Sequence, residues 1–232
     1  MLKHHKYDRL EKIIGEEQLN NLSKKTVLVL GCGGVGGYSI EALSRSNIGT
    51  LILVDFDKIE ESNINRQIIA LDSTIGLLKT DAFEARIKDI NKEIRVIKIS
   101  EFIDDKNIDL LFQEPIDYLI DACDTMLTKK LIIKECIKRN IPFISSMGTG
   151  NKFDPSKLEI IDIKKTINDP LARMIRKFMK DEKINKRVMV LSSTELPVKT
   201  HDRTPGSTAF VPSSAGLLIA SYVVRKLLEK EL

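Results

Sequence analysis

At 232 residues, 42% hydrophobic and 30% charged, the chain has the length of one globular domain, or of one domain with a small elaboration, and the composition of an ordinary soluble protein. Its net charge of +4 is too small to imply a partner by itself, and the longest apolar run, around Ala215 to Val224, falls well short of the ~20 residues of a membrane-spanning helix. Cys32, Cys123 and Cys136 stand singly, which excludes a C-x-x-C zinc clamp or redox dithiol; with a charged, polar N-terminus and no secretory signal, they point to a reducing cytoplasm.

In chain order, residues 8–22 ("DRLEKIIGEEQLNNL") carry helical spacing broken by one glycine, so one or two short helices lead into a first strand at 26–31. A second strand spans Thr50–Val54, and the polar "DFDKIEESNINRQ" after it reads as a structured loop. "GLLKTDAFEARIKDIN" places apolar residues on one stripe and charges on the other, as a helix requires. Strand patterns recur at "IRVIKI", "IDYLIDA" and "IPFISSM", separated by helical patterns at 104–112 and 126–140. After Gly148 come a strand ("KLEIIDI"), a helix with proline in its first turn ("DPLARMIRKFMKD") and another strand ("KRVMVLSS"). A mobile loop is expected over Glu195–Pro212, then a closing helix, "SSAGLLIASYVVRKLLEKEL". The alternation predicts an α/β fold, a doubly wound, mostly parallel, Rossmann-like sheet with additional C-terminal strands and helices. One domain fills 1–232, with a core over 1–147 and an elaboration over 148–232.

Between the first two strands, "VLVLGCGGVGGYSIEAL" holds a G-x-G-x-x-G at Gly31, Gly33 and Gly36, and the second strand runs into Asp55. Such a turn offers backbone N–H groups and a helix N-terminus to phosphate, and the acid can accept ribose hydroxyls. That physics serves NAD and ATP alike, and an isolated motif of this kind can also be a tight packing turn. The polar residues further along the chain favour a nucleotide that is split. Asn63, Arg66 and Gln67 lie on a loop beyond the strand ends, Lys79 near the next helix start, and Asp121 and Asp124 after the fourth strand. Cations that neutralise a reacting phosphoryl group, with a carboxylate for magnesium, suit ATP cleavage better than nicotinamide binding. Taken singly, Arg66 or Lys79 reads as a solvated charge, Asp121 as a helix cap, and the cysteines as small buried residues. His4, His5 and His201 show no ligand spacing.

The ordered set "GCGGVGG", "VDFDKIEESNINRQ", "GLLKTDA" and "DACDT" resembles the ubiquitin-activating-enzyme-like adenylyltransferases, the ThiF/MoeB superfamily. That resemblance implies a ThiF-type domain and assigns Gly31, Gly33, Gly34 and Gly36 to the phosphates, Asp55 to the ribose and Asp57 to the nucleotide. It assigns Asn63, Arg66, Gln67 and Asp121 to nucleotide contacts, Lys79 to the reacting α-phosphate and Asp124 to Mg2+. "KYDRLEKIIG" looks like the segment whose arginine reaches the partner's site in a homodimer, which would make Arg9 catalytic together with Arg66 and Lys79. Members that capture the acyl-adenylate covalently use a later cysteine; here none follows Cys136.

The second half, "SSMGTGNKFDPSKLEIIDIKKTINDPLARMIRKFMK" and "VLSSTELP", is similar to one branch, the tRNA threonylcarbamoyladenosine dehydratases. The chemistry implied is adenylation of the modification's carboxylate by ATP, then displacement of AMP by the modification's own atoms. A tRNA substrate gives the basic stretch from Lys164 to Arg203 a use, with Arg173, Arg176 and Lys177 as phosphate contacts; otherwise it is a solvated face. The resemblance leaves open partners from a cysteine-desulfurase system. The rivals are an NAD-dependent oxidoreductase, a sulfur-carrier-protein adenylyltransferase, and an RNA- or partner-binding module with a degenerate pocket.

Overall fold

The computed structural model describes residues 6–200 and 204–228. His4, His5, His201, Arg203 and the last four residues of the expected closing helix lie outside them.

The chain opens with two short helices, α1 (Asp8–Ile14) and α2 (Glu16–Leu22), divided at Gly15, whose φ of 85° ends one and starts the other. Strand β1 (Thr26–Leu30) follows, then α3 (Gly36–Ser44) and β2 (Thr50–Val54). A single 3-10 turn at Glu61–Asn63 precedes α4 (Lys79–Ile90) and β3 (Arg95–Ile99). Next come β4 (Tyr118–Asp121), α5 (Met126–Arg139) and β5 (Phe143–Ser146). The second half supplies β6 (Leu158–Asp162), α6 (Pro170–Asp181), β7 (Met189–Ser193) and α7 (Phe210–Leu227).

These strands form one sheet in the order β3-β2-β1-β4-β5-β7-β6, parallel throughout except for β6, which runs antiparallel to β7. Both halves of the sequence therefore share a sheet. From β1 the chain winds outward through β2 to β3, then returns to lay β4 on the other flank of β1. That reversal makes the C-terminal edges of β1 and β4 the topological switch point, where ligands enter open α/β sheets.

Residues of β1 and β2 alternate between two cores, as the period of two demands. Val27, Val29, Leu51 and Leu53 pack with Ile40, Leu43, Ile219 and Val223 on the side of α3 and α7. Leu28, Leu30, Ile52 and Val54 pack with Leu111, Ile132 and Cys136 on the other. Both faces are covered, so these strands read as unbroken apolar runs. Helix α6 seals the far end through Ala172, Ile175 and Met179.

Two expectations need correction. Residues 104–112 form only a 3-10 stretch at Ile108–Phe112. Asn107 turns the chain there: its side chain accepts from Asp104 N at 2.9 Å and donates to Phe102 O at 2.9 Å, competing with helix formation. Helix α7 begins at Phe210 rather than 213, placing Pro212 in its first turn, where a missing N–H costs nothing.

Helix α7 crosses α3 so closely that a Cβ on Gly216 would lie 2.2 Å from Val35 O and 2.8 Å from Tyr38 Cβ, while Ser39 Oγ donates to Gly216 O at 2.9 Å. Gly216→Ala should therefore separate the two helices and cost about 3 kcal/mol or more, read as a fall in chemical-denaturation midpoint. A variant as stable as the parent would contradict this packing.

Candidate active site

A cavity of about 360 Å³ opens at the switch point. Its floor is the glycine turn. Gly31 has a φ of 91°, donates to Val54 O at 2.8 Å, and leaves no room for a side chain, since a Cβ would sit 2.7 Å from Ala122 O. A Cβ on Gly36 would fall 1.7 Å from Gly31 O, so the chain folds back on itself there before entering α3. Gly33 and Gly34 line the cavity; around Gly33 the nearest atom to an added Cβ is Gln67 Nε2 at 3.7 Å. The N-terminus of α3 thus faces open space beside bare backbone, as phosphate recognition requires.

One wall is acidic and basic at once. Asp55 accepts from Cys32 N at 2.7 Å through one oxygen and from Asp57 N at 2.9 Å through the other, leaving a lone pair on each. Burial raises its pKa, opposed by Lys79 and the two amides. Lys79 is the first residue of α4 and only 6% exposed; its ammonium lies 2.6 Å from Asp57 Oδ2 and 3.7 Å from Asp55 Oδ1. A buried ammonium held between two carboxylates at a cavity wall is a cation poised for an incoming anion.

Asn63 ends the 3-10 turn, and its carbonyl accepts from the amides of Arg66 and Gln67 at 3.1 and 2.9 Å, which folds that loop against the glycine turn. Arg66 lies over Gly34, with Cγ 3.5 Å from where a Cβ would be, and its guanidinium donates to Ser62 O and Asn65 Oδ1. Gln67 is buried and its Oε1 has no partner. An orphaned acceptor on the wall of a polar cavity fits a ligand that donates hydrogen bonds.

The structure brings Gly31, Gly33, Gly34, Asp55, Asp57, Asn63, Arg66, Gln67, Lys79 and Asp124 to this one cavity. Asp124 is exposed there, and among the described residues its side chain accepts one hydrogen bond, from Thr125 Oγ1 at 3.4 Å. Gly36 acts beneath, through the turn. Asp121 does not line the cavity: it is fully buried, bonded to Lys129 at 3.0 Å and Ser145 at 2.5 Å, so it holds protein rather than ligand atoms. Arg9 is exposed on α1 and is not among the lining residues. On α6, Arg173 and Lys177 are exposed. Arg176 leaves the expected phosphate set, because its guanidinium donates to Ile163 O, Thr166 O and Thr166 Oγ1 and ties α6 to the turn after β6.

Sequence reasoning missed several wall residues. Phe56 and Phe102 meet edge to face at 5.1 Å beside Asp55, and Thr149, Ser207 and Pro212 arrive from the second half. It also missed Lys129, hidden in a "KK" pair that reads as surface charge. None of these has a spacing signal; each depends on a long-range contact.

All three thiols are held toward their protonated form. Burial raises the pKa of Cys32 and Cys123, with Asp55 and Asp121 respectively adding to it, and pushes Cys136 up to about 12. Cys123 reaches the cavity wall, but its Sγ donates to Asp121 Oδ1 at 3.0 Å. Among the described residues no group of three His, Cys, Asp or Glu side chains could hold a metal alone. A lone carboxylate such as Asp124 suits an ion whose remaining ligands are phosphate oxygens and water.

A glycine turn opening a helix at the switch point, with an acid after β2 and a buried lysine opposite, defines a nucleotide-binding α/β protein. Residues 7–231 match the ThiF family, and the chain belongs to it. It is 43% identical over 242 aligned positions to the tRNA threonylcarbamoyladenosine dehydratase of Bacillus subtilis, covering 97% of this chain and 95% of that protein. The Escherichia coli dehydratase is 36% identical over 171 positions, covering 74% of this chain and 64% of its own. Structures of the Escherichia coli enzyme, TcdA, superpose with a TM-score of 0.91 in complex with ATP (31% identity, 96% of this chain, 93% of that one) and 0.89 with AMP (32% identity, 94% and 91%). Among the described residues no helix is long and apolar enough to cross a membrane.

Because a Cβ at Gly33 enters the cavity without touching backbone, Gly33→Ala should fold normally yet bind AMP at least about tenfold more weakly by calorimetry. Unchanged AMP affinity would place the phosphates elsewhere.

Proposed function

We propose that this chain catalyses the ATP-dependent cyclising dehydration of N6-threonylcarbamoyladenosine in tRNA. The observation that carries the reading is the pairing, at one cavity, of a bare glycine turn with the buried Lys79 ammonium. The likeness to the Bacillus subtilis dehydratase along nearly the whole of both chains supports it.

In this reading the carboxylate of the modification attacks the α-phosphorus of ATP and pyrophosphate leaves. An atom of the same modification then attacks the activated acyl carbon, AMP departs with one carboxylate oxygen, and the net change is loss of one water. The second step needs no protein nucleophile, since groups on one substituent already have a high effective concentration. The protein's part is to bind, orient and neutralise. The amides at Gly33 and Gly34, which the turn leaves bare, face the phosphates. Asp55 accepts ribose hydroxyls with the lone pairs its two amide bonds leave. Asn63 and Arg66 hold the phosphate tail, Gln67 Oε1 accepts from a donor group of the nucleotide, and Lys79 shifts from Asp57 toward the α-phosphate as charge builds there. Asp124 would hold Mg2+, which would supply positive charge to offset that of the phosphates.

Arg9 acts from the partner in a homodimer. Helix α1 precedes β1 and has no role at its own chain's cavity, whereas a two-fold axis can deliver a guanidinium to the neighbour's phosphates. Exposed Arg173 and Lys177 offer the RNA backbone additional cations.

Nucleoside analysis of tRNA incubated with enzyme and ATP should reveal the modified adenosine lighter by one water, and Lys79→Ala should slow this on the order of 10²–10³-fold. Arg9→Ala should be inactive alone. Co-refolded in equal amounts with Lys79→Ala, it should recover about a quarter of wild-type activity, from the one intact site in each mixed dimer. Unmodified mass with the wild-type enzyme would overturn the function; no recovery in the mixture would overturn the trans role.

A further inference from the structure

Beneath the cavity lies a charged network that the proposed reaction does not use directly. Lys129 and Asp121 are both fully buried, 3.0 Å apart. Lys129 Nζ, carried by α5, also donates to Ser145 Oγ at 3.2 Å and Ser146 O at 2.8 Å at the end of β5. Ser145 Oγ donates to Asp121 Oδ2 at 2.5 Å. The other oxygen, Oδ1, is turned to the loop, accepting from Cys123 N at 3.2 Å and Cys123 Sγ at 3.0 Å.

Burying two ions costs several kcal/mol each before their attraction returns it, and an apolar pair would stabilise this core as well or better. Stability alone therefore does not account for the pair. Its geometry does something an apolar pair cannot: it locks the loop between β4 and α5, residues 122–125, from below. The same loop is held laterally by Ala122 N donating to Leu30 O at 2.8 Å and packs on Gly31. Among the described residues the Asp124 carboxylate takes one hydrogen bond, the 3.4 Å one from Thr125, so its position follows from the loop that carries it.

We infer that Lys129 and Asp121 are positioning residues whose ion pair aims the Asp124 carboxylate at the phosphate end of the cavity. The inference rests on the reading of Asp124 as the Mg2+ ligand. Supporting residues of this kind are worth 10–100-fold in metal affinity where they have been removed.

The test is ATP binding measured by calorimetry with Mg2+ and with EDTA. The neutral variant Asp121→Asn/Lys129→Met keeps volume and should fold, retaining the Mg2+-free affinity within about threefold while losing tenfold or more in Mg2+. Added to Asp124→Asn, it should cause no further loss, because both changes then act on one function. Equal losses with and without Mg2+, or losses that add to those of Asp124→Asn, would make the pair merely structural and overturn the inference. If the double variant does not fold, Ser145→Ala removes one bond to Asp121 and is read the same way, with a shift of about threefold. Asp124→Asn that keeps full Mg2+ sensitivity would sink the metal reading and this inference together; additivity sinks the inference alone.

Discussion

The contact between Gly36 and Gly31 is the constraint on which the site depends. With only 1.7 Å between a hypothetical Cβ at Gly36 and the carbonyl of Gly31, the chain must leave β1, reverse and enter α3 with no side chain between. That reversal aims the helix N-terminus at the switch point and bares the amides at Gly33 and Gly34. It also sets Cys32 N where Asp55 can accept it at 2.7 Å, joining the ends of β1 and β2. Ala122 packs against Gly31 from the other flank, so the β4 loop takes its place from the same turn. Three strand ends are thus registered against one fold of backbone.

Around this turn the charges divide into two layers. Lys79 with Asp55 and Asp57 is on the cavity wall, where an arriving phosphate can compete for the ammonium. Lys129 with Asp121 is sealed below, with every polar atom occupied by protein. The upper layer can rearrange on binding, and the lower one cannot. A group whose partners are carboxylates already present costs little to redirect, whereas a fully buried pair loses several kcal/mol when separated. Catalysis by positioning, without a covalent intermediate on the protein, calls for both.

Much of the sheet is legible in the sequence because the periodicities are clear. The second strand lies at Thr50–Val54, where its pattern puts it, and the helix after it begins at Lys79, three residues into the stretch whose pattern predicts it. The segment at 104–112 misleads because its apolar spacing mimics a helix while Asn107 satisfies the backbone locally. Cavity residues carried by motifs, from Gly31 to Asp124, can be gathered from order alone. Asp121 and Arg176 cannot be placed that way: each has the right charge in the right neighbourhood, but its partners, Lys129 and Ser145 or Thr166 and Ile163, are set by packing between elements. The same holds for Phe102, Thr149 and Ser207, which reach the wall from loops with no pattern of their own.

The central claim is that the activated carboxylate is captured within the substrate and not by the protein. The most direct measurement is nucleoside analysis of tRNA treated with ATP and a folded variant carrying Cys32→Ala, Cys123→Ala and Cys136→Ala. Capture within the substrate predicts the dehydrated nucleoside at a rate within about an order of magnitude of the parent, with AMP formed in equal amount. Pyrophosphate release that continues while the modified adenosine keeps its original mass would mean that a thiol carries the acyl group, and would contradict the account.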